Sequence, residues 1–166
     1  CKNTAEALPE NRRWKYLLAH AHFGIADRSH GEPSKALEHY SAALNIYREF
    51  YNAQPDNRYL QFDIANMLHR SHSSLVRLGR VDQAISQTEE AIRLMDQDTG
   101  TTSEIWGWSR LILAKSYKKK GLYSKAEALL QEVVGKTGFD AEPHCRKALL
   151  DIWRVQGKRD KVLEAE

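Results

Sequence analysis

Cysteine is nearly absent from this chain. Only Cys1 and Cys145 occur in 166 residues, at opposite ends. They have neither a metal-ligand nor a redox spacing, so a disulfide framework is excluded as the source of stability. Long apolar runs are missing as well. No stretch approaches the roughly 18 residues of a membrane helix, and no signal-peptide pattern opens the chain. A strong charge of one sign is also lacking. The 25 Lys and Arg against 22 Asp and Glu leave a net +3, too mild to imply nucleic acid or an anionic membrane. No segment alternates apolar and polar residues with the period of two that a half-buried strand shows. The expected protein is soluble, not membrane-inserted, and cytoplasmic by default. The leading Cys1 suggests a fragment of a longer protein, with a periplasmic or lipid-anchored form as the minority reading.

The arrangements that carry catalysis are missing too. Ser71, Ser73 and Ser74 lie among helix residues without a glycine elbow, and no glycine loop of phosphate-cradling type occurs. His144 and Cys145 are adjacent, so on a helix they point about 100° apart, which is wrong for a nucleophile and its base. His69 and His72 share a helix face, but zinc needs three or four ligands and nothing nearby completes the set. The expectation is no enzyme, no metal and no other cofactor, with His72 filling a helix crossing and His69 facing solvent. His20 and His22, two apart, cannot converge on one ion.

What the chain does contain is helical periodicity. With 42% hydrophobic and 28% charged residues it can bury one continuous core, which predicts a single domain over 1–166. From Glu10 to Ser29, Trp14, Leu17, Leu18, Ala21 and Ile25 recur at helical steps and are expected to face the core, with Phe23 and Gly24 adding a second buried stripe. Gly31 is expected to take a left-handed cap, and Pro33 suits the first turn of the next helix, which runs to about Asn52. Pro55 breaks it, and Asp56 or Asn57 can cap a third helix marked by Tyr59, Phe62, Ile64, Ala65, Leu68, Leu75 and Leu78. A fourth follows from Val81 to Met95. After a loop over 96–103, with Thr102 or Ser103 as cap, come helices at 105–120 and 122–134. Asp140 is expected to cap a seventh, running to about Gln156, and a short eighth covers 158–165.

These helices form a repeat. Gly31, Gly79, Gly121 and Gly157 each stand five residues before a small aliphatic: Ala36, Ala84, Ala126 and Val162. The glycine can take a positive φ at the turn, and the small side chain lets two helix axes approach to about 8–10 Å. In the first three units a further small residue follows seven later, at Ala43, Ala91 and Val133. Four helix-turn-helix units are predicted, at about 10–52, 57–97, 102–136 and 141–166.

On these residues the chain resembles the tetratricopeptide repeats. The third unit matches best, through Leu113, Ala114, Tyr117, Gly121, Ala126 and Leu130, and the first through Phe23, Gly24, Gly31, Ala36, Tyr40 and Ala43. Departures are Asp27 in place of an aromatic, His72 where a small residue is usual, and Thr88 where a large one is. The fourth unit keeps Leu149, Trp153, Gly157 and Val162 and is cut short. The lengthened repeats 35–68 and 77–95 also resemble those of bacterial multidomain signalling proteins.

The resemblance implies an all-α fold, a right-handed α-α superhelix. It also implies a non-catalytic protein-interaction module whose first helices line a groove for a partner peptide or helix. Residues one turn off the buried stripe are then the candidates: Arg28; Asn66, His69, Arg70, Ser73 and Arg77; Trp108, Lys115, Lys118 and Lys119; and His144, Lys147, Asp151 and Arg154. The set is predominantly basic and favours an acidic partner, with Trp108 as an aromatic anchor. Lys118 to Lys120 also close a helix C-terminus, where cations offset the macrodipole with no partner. The carboxylate clamp of some members is not expected, since Ala21 and Ile25 replace its lysine and asparagine. Base readout by an RNA-binding array would need regularly repeated side-chain pairs, which these units lack, so no nucleic acid is expected. Self-association through the incomplete last unit is the alternative.

Overall fold

The computed structural model describes residues 10–96, 104–136 and 140–165, all helices, turns and short links with no strand among them. Among the described residues there are eight helices: α1 Glu10–Arg28, α2 Pro33–Ala53, α3 Arg58–Arg77, α4 Val81–Asp96, α5 Glu104–Lys119, α6 Tyr123–Val134, α7 Glu142–Val155 and α8 Arg159–Ala165. They fall into two compact units, one holding α1–α4 and the other α5–α8. The expected caps at Thr102 or Ser103 and the lead-in over 4–9 lie outside the described residues.

The turns explain the pairing. Three of the four links are three residues long and share one hydrogen-bond pattern. In the first of these the Arg80 N–H donates to the Leu75 carbonyl at 2.9 Å and the Gly79 N–H to Val76 at 3.1 Å. Leu122 with Tyr117 and Gly121 with Lys118 repeat it, as do Lys158 with Trp153 and Gly157 with Arg154. This is the Schellman closure, and it demands a left-handed residue at its penultimate position. Gly79, Gly121 and Gly157 supply it with φ of 75°, 75° and 68°.

Gly31 departs from the expected left-handed cap, since no positive φ occurs there. The link from α1 to α2 is one residue longer, and it reverses through two successive three-residue bonds. The Ser29 N–H donates to Ala26 and the Glu32 N–H to Ser29, both at 3.0 Å. The extra residue removes the need for the left-handed step. Ser29 Oγ also donates to the Ile25 carbonyl at 2.8 Å, satisfying one end of α1.

Helix starts follow local chemistry in two of the expected places. Pro33 opens α2, and the Asn57 side chain accepts from the Tyr59 and Leu60 amides at 3.1 and 3.3 Å. Asp140 is not the cap of α7. Ala141 holds that position without a side-chain bond, and Pro143, lacking an N–H, lies in the first turn.

In the first unit α2 is buried along both flanks, through Ala36, Leu37, Tyr40, Ala43, Leu44, Tyr47 and Phe50. Leu37, Leu75 and Ala84 pack together with Val76 against them. His72 does fill a crossing. It is buried and its Nδ1 lies 2.7 Å from Thr88 Oγ1, whose own proton goes to the Ala84 carbonyl at 2.8 Å. The Thr88 hydroxyl having donated elsewhere, Nδ1–H of His72 is the donor of that pair. The histidine and threonine that depart from the repeat pattern thus satisfy each other.

α1 packs with the face opposite to the one its apolar stripe predicts. Tyr16, Ala19 and Ala26 are buried, whereas Trp14, Leu17, Leu18 and Ile25 are 66%, 44%, 50% and 39% exposed. Two alanines let α1 approach its neighbours closely, and the Tyr16 hydroxyl donates to Asp63 of α3 at 3.0 Å. Tyr59 and Phe62 of α3, expected in the core, are exposed too.

In the second unit Ala114 and Tyr117 of α5 and Ala126, Leu130 and Val133 of α6 make the core that the repeat predicts, closed by Cys145, Leu149 and Ile152 of α7. Glu127 holds α8 in place, accepting from Lys158 at 2.6 Å and from Lys161 at 2.7 Å.

Candidate functional site

α1 and α3 run side by side and in the same direction, as their cross-links show. Tyr16 meets Asp63, Asp27 accepts from Arg70 at 2.9 Å, and Arg77 reaches the His30 and Gly31 carbonyls. Positions 62, 66, 69 and 73 of α3 correspond, 48 residues on, to 14, 18, 21 and 25 of α1. The outward face of the first unit therefore carries Trp14, Leu18, Ala21 and Ile25 on one helix and Phe62, Asn66, His69 and Ser73 on the other.

Its cations are mostly engaged internally. Arg70 pairs with Asp27, lies 5.7 Å from the Phe23 ring and donates weakly to Asn66 at 3.4 Å. Arg77 caps the turn after α1. Arg28 folds over Gly24, where an added Cβ would meet its guanidinium at 3.3 Å. His69 is half-buried rather than solvent-facing, and burial, with Arg70 and His72 beside it, pushes its pKa down to about 4. It is neutral at pH 7. Of the candidates in this unit Arg28, Arg70, Ser73 and Arg77 are exposed and Asn66 and His69 half-buried, with Arg70 and Arg77 held in contacts to α1 and the turn after it.

In the second unit the register does bring the candidates together. Trp108 of α5 and His144 of α7 have ring centroids 5.1 Å apart with planes inclined at 40°. Lys118 of α5 and Asp151 of α7 approach to 3.9 Å, a long ion pair. Lys115 and Lys119 on α5 and Lys147 and Arg154 on α7 are exposed. Five cations thus lie along these two helices with one carboxylate, Asp151, among the candidates, spread over about 16 Å from the Trp108–His144 pair. Arg110 of α5 is not part of this face. It is buried, donates to Glu132 at 2.6 Å and stacks 3.8 Å from the Trp106 ring centroid.

Cys145 lies on the buried face of α7 and is fully buried. Burial, reinforced by Glu142 and opposed by Lys115, pushes its thiol up to about 11. A thiol so protonated is a poor nucleophile, and its neighbour His144 is turned outward against Trp108. Among the described residues no three His, Cys, Asp or Glu side chains converge as a metal site.

No protein-family model and no curated protein matches the chain. Among solved structures it is similar to a putative kinesin light chain from Podosopora anserina with nearly identical TPR-like repeats. The match has 17% identity and a TM-score of 0.60, over 99% of this chain and 77% of that one. The chain has the tetratricopeptide-like repeat fold. In TPR-like terms α1, α3, α5 and α7 are the first helices of successive helix pairs. Among the described residues no helix is long and apolar enough to cross a membrane.

The residues that sequence reasoning missed are Trp14, Leu17, Leu18 and Ile25. Their signal was present, since Tyr16, Ala19, Phe23 and Ala26 form a competing stripe whose small members suit a helix crossing better.

Proposed function

We propose that the chain is a non-catalytic protein-interaction module and that the face built by α5 and α7 takes an acidic segment of a partner. The observation that carries this is the exposure of Lys115, Lys119, Lys147 and Arg154 along the same two helices whose Trp108 and His144 rings meet, with Asp151 the one carboxylate among the candidates there. Such a face attracts carboxylates over a Debye length of about 8–10 Å, while the indole offers a contact area that does not require charge. The buried, protonated Cys145 and the outward His144 argue against hydrolytic chemistry at the same place. The lengthened repeats fit a scaffolding or sensory role within a bacterial signalling or regulatory protein. Reversal of Lys115, Lys119 and Lys147 to glutamate should abolish capture of acidic partners from native extract, and unchanged capture of every partner would refute the reading.

Self-association is favoured by a separate observation, the exposure of Val155 and Leu163 at the end of the second unit. A strict monomer in sedimentation across a wide concentration range would remove it.

A further inference from the structure

His22 of α1 and His39 of α2, 17 residues apart in sequence, meet across the first helix pair with their Nδ1 atoms 2.8 Å apart. Their ring centroids are 5.1 Å apart and the planes are inclined at 37°. The centroid separation exceeds the nitrogen separation by twice the distance of a ring nitrogen from its own centroid, so both Nδ1 atoms lie close to the line joining the rings. As a hydrogen bond the pair needs a proton on one Nδ1 and a lone pair on the other. With the proton moved to Nε2, two lone pairs point at each other along one line. The backbone there is held by other contacts, since Phe23 and Tyr40, the next residue on each helix, pack with centroids 6.5 Å apart.

The surroundings restrict what can sit between the rings. Among the described residues no third His, Cys, Asp or Glu joins the pair as a ligand. The places one turn away on either helix are apolar apart from Lys35, which pairs with Glu32 at 3.4 Å. Zinc, which takes four ligands in a tetrahedron, and hard cations, which take several oxygens, are poorly served by two imidazoles. With no carboxylate to balance it, a double charge also costs more to desolvate in a half-buried place than a single one. A monovalent d10 ion takes two ligands in line, and copper is readily bound by imidazole.

The fit needs a small adjustment. Two metal–nitrogen bonds of about 2 Å each place the nitrogens about 4 Å apart, roughly 1 Å more than the hydrogen bond does. Histidine χ2 is broad, so each ring can retract by about half of that without moving its helix.

We propose that His22 and His39 form a linear, two-coordinate site for a monovalent d10 metal ion, Cu(I) or its analogue Ag(I), which ties α1 to α2. Two nitrogen-to-metal bonds form and the ion keeps its oxidation state. The ring that held its proton on Nδ1 releases it and takes one up at Nε2, so both ligands are neutral imidazoles. The site shares no residue with the α5–α7 face and stands whether or not that face binds a partner.

The probe is Ag(I), added as the nitrate in chloride-free neutral buffer to the whole chain carrying Cys1→Ser, which removes a competing thiol. Imidazole nitrogen spectra should show the Nδ1 resonances of His22 and His39 shifting together, complete at a single equivalent, and the melting temperature should rise. His22→Gln and His39→Gln each keep a hydrogen-bonding side chain but leave one ligand of two. Each should weaken Ag(I) binding by about tenfold or more, as loss of a tethered second ligand implies, and remove the rise in melting temperature, whereas His30→Gln should change neither. The proposal is overturned if the two Nδ1 resonances do not shift, or if either glutamine variant binds Ag(I) as the parent does. It is also overturned if Zn(II) binds at these histidines more tightly than Ag(I), which would make the site tetrahedral. The parent's spectra decide alone where a variant does not fold.

Discussion

Arg70 of α3 donates to Asp27 of α1 across 43 residues of sequence, at 2.9 Å, with its guanidinium 5.7 Å from the Phe23 ring. The most central cation on the outward face of the first unit is thus a link between two helices. Both partners are partly exposed, so the link contributes about 0.5–1 kcal/mol. Arg70→Ala should lower the unfolding free energy read from denaturant melts by that amount and leave capture of acidic partners unchanged. A loss of capture without loss of stability would return Arg70 to the binding surface.

The turn glycines are not equivalent. Alanine at Gly79, Gly121 or Gly157 would have to adopt φ near 70°, costing about 1 kcal/mol each. At Gly31, where φ is not positive and an added Cβ meets nothing within 4 Å, alanine should be neutral or slightly stabilising. Thermal melts of the four single variants check this ordering directly.

Acid should loosen the second unit through Glu127. Burial alone would raise its carboxyl, but the hydrogen bonds from Lys158 and Lys161 outweigh that and hold it at about 2, below the ordinary 4.5. A carboxyl depressed in the folded state contributes stability that is complete above 4.5 and lost as the pH falls toward 2. Glu127→Gln should therefore lower the melting temperature at neutral pH, by roughly 1–3 kcal/mol in stability, and flatten its fall below pH 4.5.

The first unit responds at a higher pH. Burial holds His69 at about 4, under its ordinary 6.5, and lowers His72 as well, the latter opposed by its interaction with the Ala84 backbone. As the pH drops the unfolded chain takes up these protons first. Stability is then complete above 6.5 and declines toward 4. The melting temperature of His69→Gln should vary less with pH over this window than that of the parent.

The helix pairs were legible because their determinants are local. A glycine five residues before an alanine states a turn and a crossing within one stretch of chain, and three of four such turns share one hydrogen-bond pattern. The fourth differs because the link to α2 has one more residue, a detail that the Gly31–Ala36 spacing does not register. The packed face of α1 was not legible for a different reason. Its two apolar stripes are equally helical, and the choice between them depends on Tyr16 reaching Asp63, 47 residues away. The same distance effect hid the engagement of Arg70 and Arg77, and the burial of Arg110 against Glu132 on α6. In the second unit Trp108 meets His144 at the equivalent position of the next first helix, 36 residues on, whereas Lys118 approaches Asp151, which lies three residues before the equivalent position at Arg154.

The face of α5 and α7 can be tested without knowing the partner. A labelled glutamate-rich peptide, disordered and lacking apolar residues, is titrated against the whole chain at about 50 and about 500 mM salt. Binding should weaken at least tenfold with salt, disappear in the Lys115→Glu, Lys119→Glu, Lys147→Glu variant, and persist in Arg70→Ala. Equal binding by the charge-reversed variant, or binding indifferent to salt, would contradict the account.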